Sequence, residues 1–96
     1  MRDFYVYILR CNDGSYYTGH TDNIEQRLSE HQTGFVTSCY TFTRLPVELV
    51  FTEIFDSRDT AFHAEHQIKK WSRAKKEALI NNNLDLLIFL SKSKYS

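Results

Sequence analysis

Tyr5-Val6-Tyr7-Ile8-Leu9-Arg10, Asn12-Asp13-Gly14-Ser15 and Tyr16-Tyr17-Thr18-Gly19-His20 follow one another near the start of the chain, and their reading decides the fold. Residues 4–10 are rich in β-branched and aromatic side chains. A strand there turns Tyr5, Tyr7 and Leu9 to one face and Val6, Ile8 and Arg10 to the other. Asp13-Gly14 supplies the positive φ that a tight hairpin needs. Residues 16–20 then read as the returning strand, which sets Tyr7 and Tyr17 on adjacent strands. Gly19, with no side chain, lets the backbone there come close to a ligand or another segment.

Outward from the hairpin the period changes from two to about four. Asp22 and Glu25 resemble a capping box, and Ile24 and Leu28 form a buried stripe. Arg27 and His31 lie one turn apart beside that stripe. The helix is predicted to end near Gly34. Residues 35–45 show no period and read as a loop. A third strand is predicted over 47–55. Ser57 caps a helix over 58–71, with Ala61, Ala64, Ile68 and Trp71 on its apolar stripe. Ser72 caps another over 73–80. Asn81-Asn82-Asn83 breaks it, and 84–90 forms a short packing helix, with 91–96 fraying. The predicted fold is α+β: a three-stranded antiparallel sheet flanked by helices, in the order β-β-α-β-α-α with a short C-terminal helix. Ninety-six residues make one domain, which buries roughly two-thirds of its unfolded surface.

Twelve basic and twelve acidic residues leave no net charge, which by itself does not point to nucleic acid. The distribution is uneven. Lys69, Lys70, Arg73, Lys75 and Lys76 crowd one segment against Glu77 alone. Such a run is either a solvated helix face or a patch that tracks phosphates. Cys11 and Cys39 lack metal-ligand spacing and read as reduced thiols of the cytosol. No signal core and no bilayer-spanning stretch is present, so a soluble, cytoplasmic protein is expected.

Glu65 is the main anomaly. It stands four residues after Ala61 and three before Ile68, on the apolar stripe of its helix. A carboxylate there must be paired, neutral or bound to a cation. One reading is a structural ion pair with a base such as Arg27 or Lys69. The other is a ligand for Mg²⁺, which often takes one or two carboxylates and fills its shell with water and phosphate. Arg27 is suited to bidentate phosphate contact and His31 to moving a proton or positioning a phosphate. Tyr7 and Tyr17 are either packing aromatics or phenols for chemistry. A free phenol titrates near about 10, so it is a poor base without a cation beside it.

Tyr5-Val6-Tyr7, Tyr17-Thr18-Gly19, Arg27, His31 and Glu65, in this order, resemble the GIY-YIG endonuclease superfamily, particularly its small single-domain branch. The segment Ala64-Glu65-His66-Gln67-Ile68-Lys69-Lys70-Trp71-Ser72-Arg73-Ala74 is similar as well. Tyr5 stands where the family name has Gly, and Thr18 where it has Ile. The resemblance implies hydrolysis of DNA phosphodiesters, in repair or processing, with Mg²⁺ or Mn²⁺ held by Glu65. Arg27 would contact the non-bridging oxygens. Tyr7 or Tyr17 would orient or deprotonate the attacking water, helped by His31. The basic run would hold the backbone of branched, nicked or single-stranded DNA. Asn81, Asn82 and Asn83 are candidates for a late family asparagine. A non-catalytic nucleic-acid-binding module and an interaction domain with a purely structural Glu65 are the alternatives.

Overall fold

The computed structural model describes residues 3–33 and 45–92. Three strands, β1 (Phe4–Arg10), β2 (Tyr16–Thr21) and β3 (Glu48–Phe55), form one sheet in the order β2-β1-β3. Both pairings are antiparallel. Four helices accompany them: α1 (Ile24–Thr33), α2 (Arg58–Lys69), α3 (Arg73–Ile80) and α4 (Leu84–Lys92). The predicted α+β architecture is the one observed.

The β1–β2 turn uses the chemistry of its residues. Gly14 has φ +84°, which a side chain would resist. Asp13 Oδ1 accepts hydrogen bonds from the Ser15 amide at 3.0 Å and its hydroxyl at 2.6 Å. Arg73, at the start of α3, donates to the Gly14 carbonyl at 2.7 Å and ties the last helices to this turn.

β1 is central, and Val6, Tyr7, Ile8 and Leu9 are all buried. Their alternation divides the core. Val6 and Ile8 meet Ala61 and Ile68 of α2 on one face. Tyr7, Leu9, Cys11 and Val47 meet Tyr17, Ile24 and Leu28 on the other, so α1 covers that face. Helices therefore flank both sides of the sheet. A bulge in β3 opposite Ile8 and Leu9 inserts Val50.

Most differences from the predicted boundaries are local. Asn23, not Asp22, starts α1: its Oδ1 accepts from the Gln26 amide at 3.1 Å. Asp22 instead faces Arg58 at 3.8 Å. Two adjacent cap-forming residues left both registers open, and the strand end chose between them. α2 stops at Lys69, two residues early, while α4 runs two residues further than expected. The predicted end of α1 at Gly34, most of the 35–45 loop, Cys39 and most of the fraying tail lie outside the described residues.

The asparagine run is a helix connector. Asn82 takes φ +54°. The amides of Asn82 and Asn83 bond back to the carbonyls of Leu79 (3.1 Å) and Ala78 (2.8 Å), closing α3 in a Schellman turn. Asn83 Oδ1 accepts from Leu86 at 3.2 Å and opens α4. These three residues act in the turn. No described helix is long and apolar enough to cross a membrane.

Candidate active site

The register of the hairpin builds the first half of the site. Tyr7 lies opposite Gly19, and Leu9 opposite Tyr17. The two phenol rings share a face with centroids 6.2 Å apart. α1, packed on that face by Ile24 and Leu28, brings Arg27 and His31 to them. Tyr7 is 1% exposed. Its hydroxyl bonds His31 Nε2 at 3.2 Å and accepts from Arg27 Nε at 3.3 Å. The His31 ring is 4.9 Å from that of Tyr17. Arg27 also meets Glu30 at 3.3 Å. The closeness of Tyr7 to Gly19 is severe: a Cβ on residue 19 would stand 2.5 Å from the Tyr7 hydroxyl. The strand glycine serves a neighbouring side chain of the chain itself.

His31 is buried, and burial pushes its pKa from 6.5 down to about 4, with the Arg27 charge pushing the same way. It is neutral at pH 7, so one ring nitrogen can accept the Tyr7 proton while Arg27 donates to the same oxygen. A pH prediction follows from this burial. The unfolded chain protonates His31 near 6.5, whereas the folded chain resists until about 4. Stability from this residue is therefore complete above pH 6.5 and is lost as pH falls toward 4, by about 3 kcal/mol. Urea midpoints at pH 7 and pH 4.5 measure the loss. His31→Gln removes most of it; an equal loss in the variant would assign the effect to other groups.

The second half of the site is on the opposite face of β2. Glu65, 6% exposed, projects from α2. Its Oε1 accepts from His20 Nδ1 at 2.6 Å, and its Oε2 faces Lys69 Nζ at 3.2 Å. His66 Nε2 is 4.0 Å away. Burial raises the pKa of this carboxyl, but bonds from His20 and Lys69 outweigh it and hold the group below its ordinary value. It is an anion at neutral pH.

Tyr7, Tyr17, Arg27 and His31 are thus gathered on one face. Glu65 stands across the backbone of β2, beside His20, which immediately follows Gly19. β2 is an edge strand, so both of its faces reach a common rim. A cavity of about 260 Å³ on this rim is lined by Tyr16, Tyr17, Thr18, Lys69 and Lys76. Tyr17, whose ring lies on the phenol face, and Lys69, which pairs with Glu65, both line this opening. The structure also separates the two phenols: Tyr7 is sealed in the core, whereas Tyr17 is half-buried and lines the opening.

The basic run does not form one continuous patch. Lys69 is drawn to Glu65. Arg73 lies 4.7 Å from the Tyr16 ring and 3.4 Å from Glu77. Lys75, expected at a phosphate, is instead buried, with its ammonium 4.5 Å from the Trp71 ring. The helix break at Trp71–Ser72 divides the run between α2, with Lys69, and α3, with Arg73, Lys75 and Lys76. Lys70 is exposed and Lys76 half-buried. His20 was missed in the sequence, where it reads as the end of a strand. Its partner is 45 residues away, and only the edge position of β2 brings them together.

The GIY-YIG catalytic domain family matches residues 3–78. The chain belongs to the GIY-YIG family. Among similar proteins, a UPF0213 protein of Natronomonas pharaonis is 54% identical over 78 residues, covering 81% of this chain and 91% of the relative. One from Syntrophus aciditrophicus is 52% identical over 79 residues, covering 82% and 91%. Two solution NMR structures share the fold. A UPF0213 protein of Bacillus halodurans has 43% identity and a TM-score of 0.54, covering 82% of this chain and 83% of that one. A protein of E. faecalis has 38% identity and a TM-score of 0.58, covering 85% and 86%. Membership of the GIY-YIG family implies nuclease chemistry on DNA.

Proposed function

We propose that the protein is a divalent-metal-dependent DNA endonuclease whose site wraps the β2 edge. One observation carries this reading: Tyr17 and Lys69, from opposite faces, line a single opening beside the buried Glu65 anion. A scissile phosphate at that rim meets both halves.

Arg27, with 29% of its side chain exposed, presents its guanidinium to the non-bridging oxygens. Tyr7 and Glu30 fix its orientation. Tyr17 is the phenol at the opening and orients the attacking water. Tyr7 acts from behind, through its bonds to Arg27 and neutral His31. Water adds to phosphorus as the bond to the 3′-oxygen breaks, leaving a 5′-phosphate and a 3′-hydroxyl that takes up the proton the water gives up.

Glu65 fits a hard cation in the one-carboxylate manner. Among the described residues no cluster of three or more His, Cys, Asp or Glu could hold a metal. Glu65 would therefore hold Mg²⁺ or Mn²⁺ as a single carboxylate. A bound ion would supply charge neutralisation at the phosphate and leaving oxygen. His20 holds the carboxylate in place. Lys69, with 49% of its side chain exposed, has room to withdraw.

Nicked, flapped and junction DNAs, incubated with Mg²⁺ or Mn²⁺, test the reading. Cleavage that EDTA abolishes is expected. Conversion that persists in EDTA overturns the metal role. Salt-dependent binding without cleavage under either metal favours the second reading, a non-catalytic binding module. The ready pairing of Glu65 with His20 and Lys69 is the observation on its side.

A further inference from the structure

The opening at the β2 rim has a feature that the cleavage site leaves unexplained. Lys69 and Lys76 come from different helices, α2 and α3, yet line the same cavity. Burial lowers the Lys76 pKa, and the Lys69 charge lowers it further, as expected for two ammonium groups brought near each other. Glu65 pairs with Lys69. Thr18, 3% exposed, lines the cavity as well. Its Oγ1 is the buried side-chain polar atom that has no hydrogen-bond partner among the described residues. Such an atom is costly to leave unpaired. Two cations in one cavity, above a buried and unsatisfied hydroxyl, suit an anion with several acceptor oxygens.

We propose that the cleft between β2 and the α2–α3 pair, with Lys76, Lys69 and Thr18 on its walls, seats a second phosphate of the DNA strand beside the one to be cut. This rests on the endonuclease reading. A dianionic terminal phosphate and an internal diester share the chemistry required, and the seat would set how far the cut falls from that phosphate. Lys76 is its principal cation, because Glu65 already holds Lys69.

NMR titration of the isotope-labelled protein in EDTA, where no cleavage is expected, tests the seat apart from catalysis. The probes are inorganic phosphate and oligonucleotides with a 5′-phosphate or a 5′-hydroxyl. Amide shifts are expected at residues 16–18 and 69–76, at least tenfold weaker in Lys76→Ala. Thr18→Val should bind phosphate more weakly without lowering Tm in phosphate-free buffer. Preference for the 5′-phosphate identifies a terminal phosphate. Equal binding of both oligonucleotides, with the salt slope reduced by about one in Lys76→Ala, identifies a diester. Unchanged binding in Lys76→Ala, shifts confined to α1, or a response to inorganic phosphate but to neither oligonucleotide overturns the seat. Metal-dependent cleavage alongside any of those results leaves the endonuclease reading standing. Binding at the seat with no cleavage in either Mg²⁺ or Mn²⁺ sinks that reading instead.

Discussion

Glu65→Gln lowers the nicking rate by at least about a hundredfold while the protein stays folded, the scale expected when a group that stabilises transition-state charge is lost. Glutamine keeps the volume of the side chain and an oxygen for the His20 Nδ1–H. What it removes is the negative charge that binds a cation. Lys69 is half-exposed, so losing its partner leaves an ammonium that water can solvate. Single-turnover cleavage of a nicked duplex, with Tm and circular dichroism measured alongside, gives the answer. In wild type, Mn²⁺ should raise Tm; in the variant the rise should disappear. A variant that cleaves at the wild-type rate would falsify the role of Glu65. A variant that unfolds, with no metal response in wild type, would mark the His20–Glu65–Lys69 cluster as structural.

Gly19→Ala is expected to damage fold and site together. Residue 19 lies in β2 directly opposite Tyr7. An added Cβ would stand 2.5 Å from the Tyr7 hydroxyl, 2.7 Å from its Cζ and 3.1 Å from Tyr17 Cε1. The obstacle is space alone, since the strand conformation at this position suits any residue. Tyr7 cannot retreat, because it is sealed in the central strand and anchored by His31 and Arg27. Overpacking of this kind costs about 1–3 kcal/mol, a fall in Tm on the order of 10 °C for a domain of this length. Cleavage should fall further than stability predicts, because the phenol that orients Arg27 is displaced. Adding Tyr7→Phe removes the hydroxyl, the nearer of the two Tyr7 contacts. It should restore part of the lost Tm without restoring cleavage. A Tm for Gly19→Ala equal to wild type would show that the strands spread at no cost.

Both experiments act on residues whose types were conspicuous in the chain but whose neighbours were not. A carboxylate on an apolar helical stripe announced itself in Glu65, and a glycine inside a strand marked a close approach at residue 19. The partners are less legible. The sequence offers Arg27, Lys69 or another base beside Glu65; Lys69 is there, and the other base is His20, which no local pattern singles out. Gly19 was read as room for a ligand or another segment, and the occupant is the phenol of Tyr7. The basic run is legible only as a choice between a solvated face and a phosphate track. In the structure Lys75 packs on Trp71 and Arg73 braces the hairpin, while Lys69 and Lys76 line one cavity from either side of the helix break.

The chain by itself determined the strands, the hairpin, the helix starts at Ser57 and Ser72, and the α+β order. Those depend on turn chemistry, capping and periodicity, which act within a few residues. It also determined that Arg27 and His31 travel together, since one helical turn separates them. Only the tertiary structure decided that Tyr7 is sealed while Tyr17 reaches the surface. It alone placed Glu65 across β2 from the phenols, with one rim serving both. These outcomes depend on which strand lies at the sheet edge and which helix covers each face, and distant segments settle that by burying their apolar surfaces against one another.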